Sequence, residues 1–147
     1  MTGPGRPLAV CHTLAVLFLV PAAGSLGACG RAGHRGVQAG IEQLASISAE
    51  SALMADDLAR GRTKTTFVRV HGAELSAQAE HEAEKLNDDP VSPELRGPIK
   101  AAVKLASDIG GAIDDLRVSP QDRQQARQDE AKLHHWAAEA GTLAETL

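Results

Sequence analysis

The side chains best suited to chemistry in this sequence are histidines and glutamates at helical spacing. Glu74 and His81 are seven residues apart and share a face with Gln78, and His71 borders the same face. Further along, Glu130 and His134 lie one helical turn apart. Imidazoles and carboxylates on facing helices are how four-helix bundles hold metal ions, so His71, Glu74, His81, Glu130 and His134 form a candidate ligand set. The di-iron bundles use Glu-x-x-His on two helices, and Gln78 stands where the glutamate before His81 would be. A plainer reading competes. Glu130 with His134, and His135 with Glu139, are i,i+4 pairs of the kind that decorate helix surfaces, each contributing a few tenths of a kcal/mol.

Other chemistries have less support. The sequence has no His-Glu-x-x-His, phosphate-cradling glycine loop, Cys-x-x-Cys or nucleophile elbow. No catalysis and no cofactor are therefore expected. The pairs Asp56-Asp57, Asp88-Asp89 and Asp114-Asp115 lack the oxygen-rich loop spacing of a calcium site. Asp56 has Arg60 one turn on and Asp114 has Arg117 three residues on, so ion pairs near helix ends account for them. With 19 acids against 15 bases, the chain is a poor partner for nucleic acid. Trp136 falls at seam spacing and is expected in the core.

These side chains must be positioned by helices. The clearest seam is Leu95, Ile99, Ala102, Ala106, Ile109, Ile113 and Leu116, recurring in steps of four and three. Ser92-Pro93 is expected to cap that helix, and Ser119-Pro120 to cap the next by the same device. In the last helix Leu133, Trp136, Ala140, Leu143 and Leu147 form the seam, whereas Gln121 to Lys132 has no large apolar residue and is expected to be solvated or to project past its partners, a place for a partner surface. The first helix spans about Ala39 to Arg60, burying Ile41, Leu44, Ile47, Met54 and Leu58, with Gly61 as its C-terminal cap. The second covers about Thr66 to Leu86; its start is rich in β-formers and contains Gly72, so an extended lead-in is an alternative. Four helices with short links predict an all-α, up-down-up-down four-helix bundle over residues 39–147. Alanine-rich seams and the pair Gly110-Gly111 predict close helix approach, which leaves little volume for an apolar cargo.

The N-terminus is of another kind. Arg6 is the only charged residue before Arg31, and Leu14 to Val20 reads LAVLFLV, broken by Pro21 and too short to span a hydrocarbon layer that needs about 20 residues. Leu26-Gly27-Ala28-Cys29 follows, and this stretch resembles the lipobox of bacterial lipoproteins: an aliphatic residue, two small ones and a cysteine. The resemblance implies a signal peptide over residues 1–28, cleavage between Ala28 and Cys29, and diacylglycerol on the Cys29 thiol. One acyl chain binds a bilayer only reversibly, whereas two or three hold it.

Cys11 would leave with the signal and Cys29 would carry lipid, so the mature chain would hold no free thiol and fold on packing alone. From Cys29 to Leu147 there are 119 residues, enough for one domain. Residues 29–38, with three glycines among Gly30 to Gln38, are expected to be a flexible tether that brings Arg31 and Arg35 near anionic headgroups. The resulting expectation is a lipid-anchored protein on the extracytoplasmic face of the cell membrane. Its bundle would bind another protein or itself without catalysis, with a metal-binding bundle as the alternative.

Overall fold

The computed structural model describes residues 33–88 and 92–147. It is a four-helix bundle: α1 (His34–Ala59), α2 (Thr65–Asp88), α3 (Arg96–Val118), preceded by a 3-10 turn at Pro93–Leu95, and α4 (Arg123–Glu145). No strand occurs among the described residues. The links are too short for anything but antiparallel neighbours, so the helices run up, down, up and down. The motif Leu26 to Cys29 and the proposed cleavage site lie outside the described residues.

α1 begins five residues before the expected boundary, so His34 to Gln38 are helix and not tether. Val37 explains this. It sits one turn before Ile41 in the same seam and is 1% exposed. Burying a valine is worth about 1.5 to 3 kcal/mol, more than the roughly 1 kcal/mol that Gly36 costs a helix interior. At the other end Gly61 adopts φ 68°, and its N–H donates to the Leu58 carbonyl while the Arg62 N–H donates to that of Asp57. This is the paired 5→2 and 6→1 closure of a Schellman motif, as the glycine predicts.

α2 is helical from Thr65, so the β-rich lead-in is overridden by packing: Val68 is fully buried, and only a helix carries it into line with Leu75 and Ala79. Gly72 is buried because the aliphatic part of Arg117 crosses it; a Cβ there would lie 2.7 Å from Arg117 Cγ. The α3 seam is buried throughout, from Leu95 to Leu116. The expected caps differ. Ser92 makes no side-chain capping bond, and α4 is capped by Asp122, whose carboxylate accepts from the N–H groups of Gln124 and Gln125 at 3.0 and 2.9 Å. Ser119 instead closes α3, its N–H donating to the Asp115 carbonyl, and the chain needs one further turn before α4 can start.

The four sides of the bundle are unequal. α1 packs most extensively on α4, and α2 on α3, whereas the α1/α2 and α3/α4 sides are looser and α2 and α4 occupy opposite corners. Small buried side chains permit the tight pairs: Ser48, Ser51, Ala52, Ala55 and Ala59 in α1, Ala126, Ala140 and Ala144 in α4. The Ser48 hydroxyl donates to the Leu133 carbonyl at 2.7 Å, a buried tie between α1 and α4. Gly110 and Gly111 are not where helices approach closely. A Cβ on Gly110 would meet only Ser76 Oγ at 3.9 Å, and one on Gly111 would meet nothing; the close approaches are at Gly72 and at Gly40, against Leu86.

Two glycine substitutions should therefore move stability in opposite directions. Gly111→Ala is expected to raise unfolding free energy by about 0.5 to 1 kcal/mol, the helix-propensity gain with no steric penalty. Gly72→Ala should lower it by about 1 to 3 kcal/mol, because Arg117 must leave its place over α2. Urea melts of both variants beside the parent check this; a Gly72→Ala variant as stable as the parent would show that Arg117 yields freely.

Candidate functional site

The five residues singled out for metal binding are not brought together. α2 carries His71, Glu74 and His81, α4 carries Glu130 and His134, and these helices stand at opposite corners. Glu74, His81 and His134 are exposed, and Glu130 and His71 are half-buried. The described residues contain no group of three or more His, Cys, Asp or Glu side chains arranged to hold a metal ion. The five-residue site fails because helical spacing places residues on one helix's face but says nothing about which corner that helix takes.

Part of the set does find partners. The His71 ring lies between two carboxylates, with Nε2 2.8 Å from Glu50 Oε1 on α1 and Nδ1 3.4 Å from Glu74 Oε2 on α2. Phe67 stacks on the imidazole with ring centroids 5.0 Å apart. The cluster clasps α1 to α2 on one of the looser sides. Glu50 was not among the candidates, since only the antiparallel register of α1 and α2 sets it opposite His71. Glu130 and His134 form no ion pair or hydrogen bond with each other, and His135 approaches Glu139 only to 3.9 Å. The ion pairs expected near helix ends are present: Asp56 with Arg60 at 2.6 Å, and Asp114 with Arg117. Arg62 reaches both Asp56 and Asp57, and the hydrogen bond it donates to Asp57 raises its pKa above the usual arginine value.

The first half of α4 is mostly exposed, as its composition suggests, but one stripe of it still packs. Ala126 and Asp129 are fully buried, continuing the seam that runs on through Leu133 and Ala140. Asp129 is the one fully buried charged side chain among the described residues. Its carboxylate accepts from Gln125 Nε2 at 3.0 and 2.9 Å and from Lys132 Nζ at 2.8 Å, so the charge is paired and solvated by its own helix. The signal was present in the sequence: Ala126, Asp129 and Leu133 keep the three-four spacing, with Gln and Lys placed to serve the aspartate. Trp136 is half-buried against the core rather than inside it.

The surface offers open clefts lined by helix faces. The α3/α4 side has a groove of about 490 Å³ lined by Ala101, Ala138, Thr142 and Leu143, with His135 and Glu139 at its edge. A smaller cleft of about 280 Å³ lies where the end of α2 meets the start of α3, lined by Leu86, Asn87, Arg96, Ile99, Lys100 and Val103. Lys104, one turn further along α3, is engaged by Asp108, whose hydrogen bond raises the lysine's pKa. Phe67 and Val70 leave more than half of their surface exposed on the outer side of α2.

A clasp this exposed contributes little. A double-mutant cycle of Glu50→Gln and His71→Ala is expected to give a coupling energy between about 0.2 and 1 kcal/mol. Adding zinc to the parent protein is expected to leave its melting temperature unchanged. A zinc-dependent rise abolished by His71→Ala would overturn this reading of the cluster.

No family model, curated protein or solved structure matches this chain, so a functional reading rests on the chemistry of its own residues.

Proposed function

We propose that this chain is a lipid-anchored envelope protein whose bundle acts without catalysis, as a binding or scaffold module for a protein partner or a second copy of itself. The observation that carries the reading is Leu26-Gly27-Ala28-Cys29 behind the apolar run Leu14 to Val20. In this reading Cys29 carries diacylglycerol, the peptide before it is removed, and the bundle stands on the extracytoplasmic face of the cell membrane. No described helix is long and apolar enough to cross a membrane. Two or three acyl chains would make the attachment stable where one would not.

The bundle interior supports a role at its surface. Its seams are filled by branched aliphatic side chains and alanine, and the polar groups inside them are satisfied: Ser48 by Leu133, Ser51 by Ile47, Asp129 by Gln125 and Lys132. Chemistry available to a partner lies on the outer helix faces.

Cells expressing the chain and fed labelled fatty acid are expected to yield a labelled protein that sediments with membranes, with an intact mass starting at Cys29. The Cys29→Ala variant should lose the label. Continued labelling of that variant would overturn the anchor, and native mass spectrometry of the released bundle would read the number of chains and any bound partner.

A further inference from the structure

The antiparallel order sets the start of α1, the end of α2, the start of α3 and the end of α4 at one end of the bundle. Four residues, Gly30 to Gly33, separate Cys29 from the first residue of α1. A chain spans at most about 3.3 to 3.6 Å per residue, so the first residue of α1 stays within roughly 18 Å of an acylated Cys29. α1 itself is about 39 Å long at 1.5 Å per residue. On the anchor reading, which this inference rests on, the near end faces the bilayer and the Gly61 turn faces away.

That near end carries the cleft between α2 and α3. Its floor is Leu86, Ile99 and Val103, and its rim is Arg96 and Lys100, one turn apart, with the Asn87 amide opposite. Neither Arg96 nor Lys100 makes a hydrogen bond or ion pair with a described residue, in contrast to Lys85, Lys104 and Lys132, each held by a carboxylate. Among the carboxylates at this end, Glu82 is engaged by Lys85. Both free cations also sit in the first turns of α3, where the helix dipole disfavours positive charge. This chain of net charge −4 therefore sets two cations without a partner among the described residues over an apolar floor at this end.

We propose that this cleft binds the phosphate headgroup of an anionic membrane lipid, so that the bundle lies against the bilayer and does not swing free on its tether. Arg96 and Lys100 take the phosphate, Asn87 donates from the opposite wall, and Leu86, Ile99 and Val103 face the glycerol backbone. Clustered cations beside a membrane attachment are attracted to anionic leaflets and not to neutral ones, which separates this headgroup docking from simple tethering.

The test uses the full chain purified from membranes and reconstituted into vesicles of phosphatidylcholine alone or with phosphatidylglycerol. One spin label is placed by Gly97→Cys, where a side chain meets open space, and another by Val118→Cys at the far end. The label at 97 is expected to lose contact with a water-soluble relaxation agent in phosphatidylglycerol vesicles only, while the label at 118 stays accessible in both. Arg96→Glu with Lys100→Glu should restore access at 97 at unchanged helicity. Equal access at 97 in both vesicle types would overturn the docking, as would protection that survives the double charge reversal. The intact mass reports separately on the anchor: a chain without lipid on Cys29 that still shows charge-dependent protection at 97 would sink only the anchor.

Discussion

The structure depends on close approach between helices, whose seams interleave branched aliphatic side chains with alanine and serine. Alanine buries little apolar area, about one methyl's worth at roughly 0.8 kcal/mol per buried carbon group, so each helix must gain its stability by length and by proximity. Proximity is available on two sides of the bundle. Ser48, Ser51, Ala52, Ala55 and Ala59 let α1 settle on α4, and Gly72 lets α2 settle on α3 beneath Arg117. The other two sides stay looser, and there the α3/α4 groove and the Glu50–His71 clasp are found, whereas the smaller cleft opens where the end of α2 meets the start of α3.

Polar groups inside such a bundle have few routes to water, and the buried serines and Asp129 are each served by a different route. Ser51 returns its proton to the carbonyl one turn back, which any helix allows. Ser48 reaches across to the Leu133 carbonyl, which needs α4 at one particular height. Asp129 is held by residues four before and three after it, so its burial is provided for within α4 before the bundle assembles. Arg117 is the exception. Its guanidinium pairs with Asp114, its aliphatic part covers Gly72, and its Nε finds no hydrogen-bond partner. The packing of α2 on α3 outweighs that unsatisfied donor.

Function, on this reading, is divided between the two ends of the chain. A short segment around Cys29 supplies an address, and the bundle supplies faces. The few residues between them leave the orientation of the bundle to be set by chemistry at its near end, where Arg96 and Lys100 have no partner among the described residues. The far end, by contrast, is closed by its own ion pairs, Asp56 and Asp57 with Arg60 and Arg62, around the Gly61 turn.

The sequence by itself determined the four helices, their antiparallel order, the α3 seam from Leu95 to Leu116 and the Gly61 closure, because these depend on periodicity, link length and the backbone freedom of one glycine. It carried the Asp129 position too, in a spacing masked by the polarity of its neighbours. Helix ends were less legible: Val37 drew α1 back to His34, and Asp122 rather than Ser119 capped α4, since burial and turn geometry outweigh local preference. Only the tertiary structure decided which helices became tight pairs. The sequential order already puts α2 and α4 at opposite corners and separates the candidate metal ligands, but the packing set Glu50 against His71 and made Gly72 rather than Gly110 and Gly111 the point of close approach. Periodicity tells which face of a helix is buried, but the partner it is buried against depends on how side chains far apart in sequence fill one shared volume.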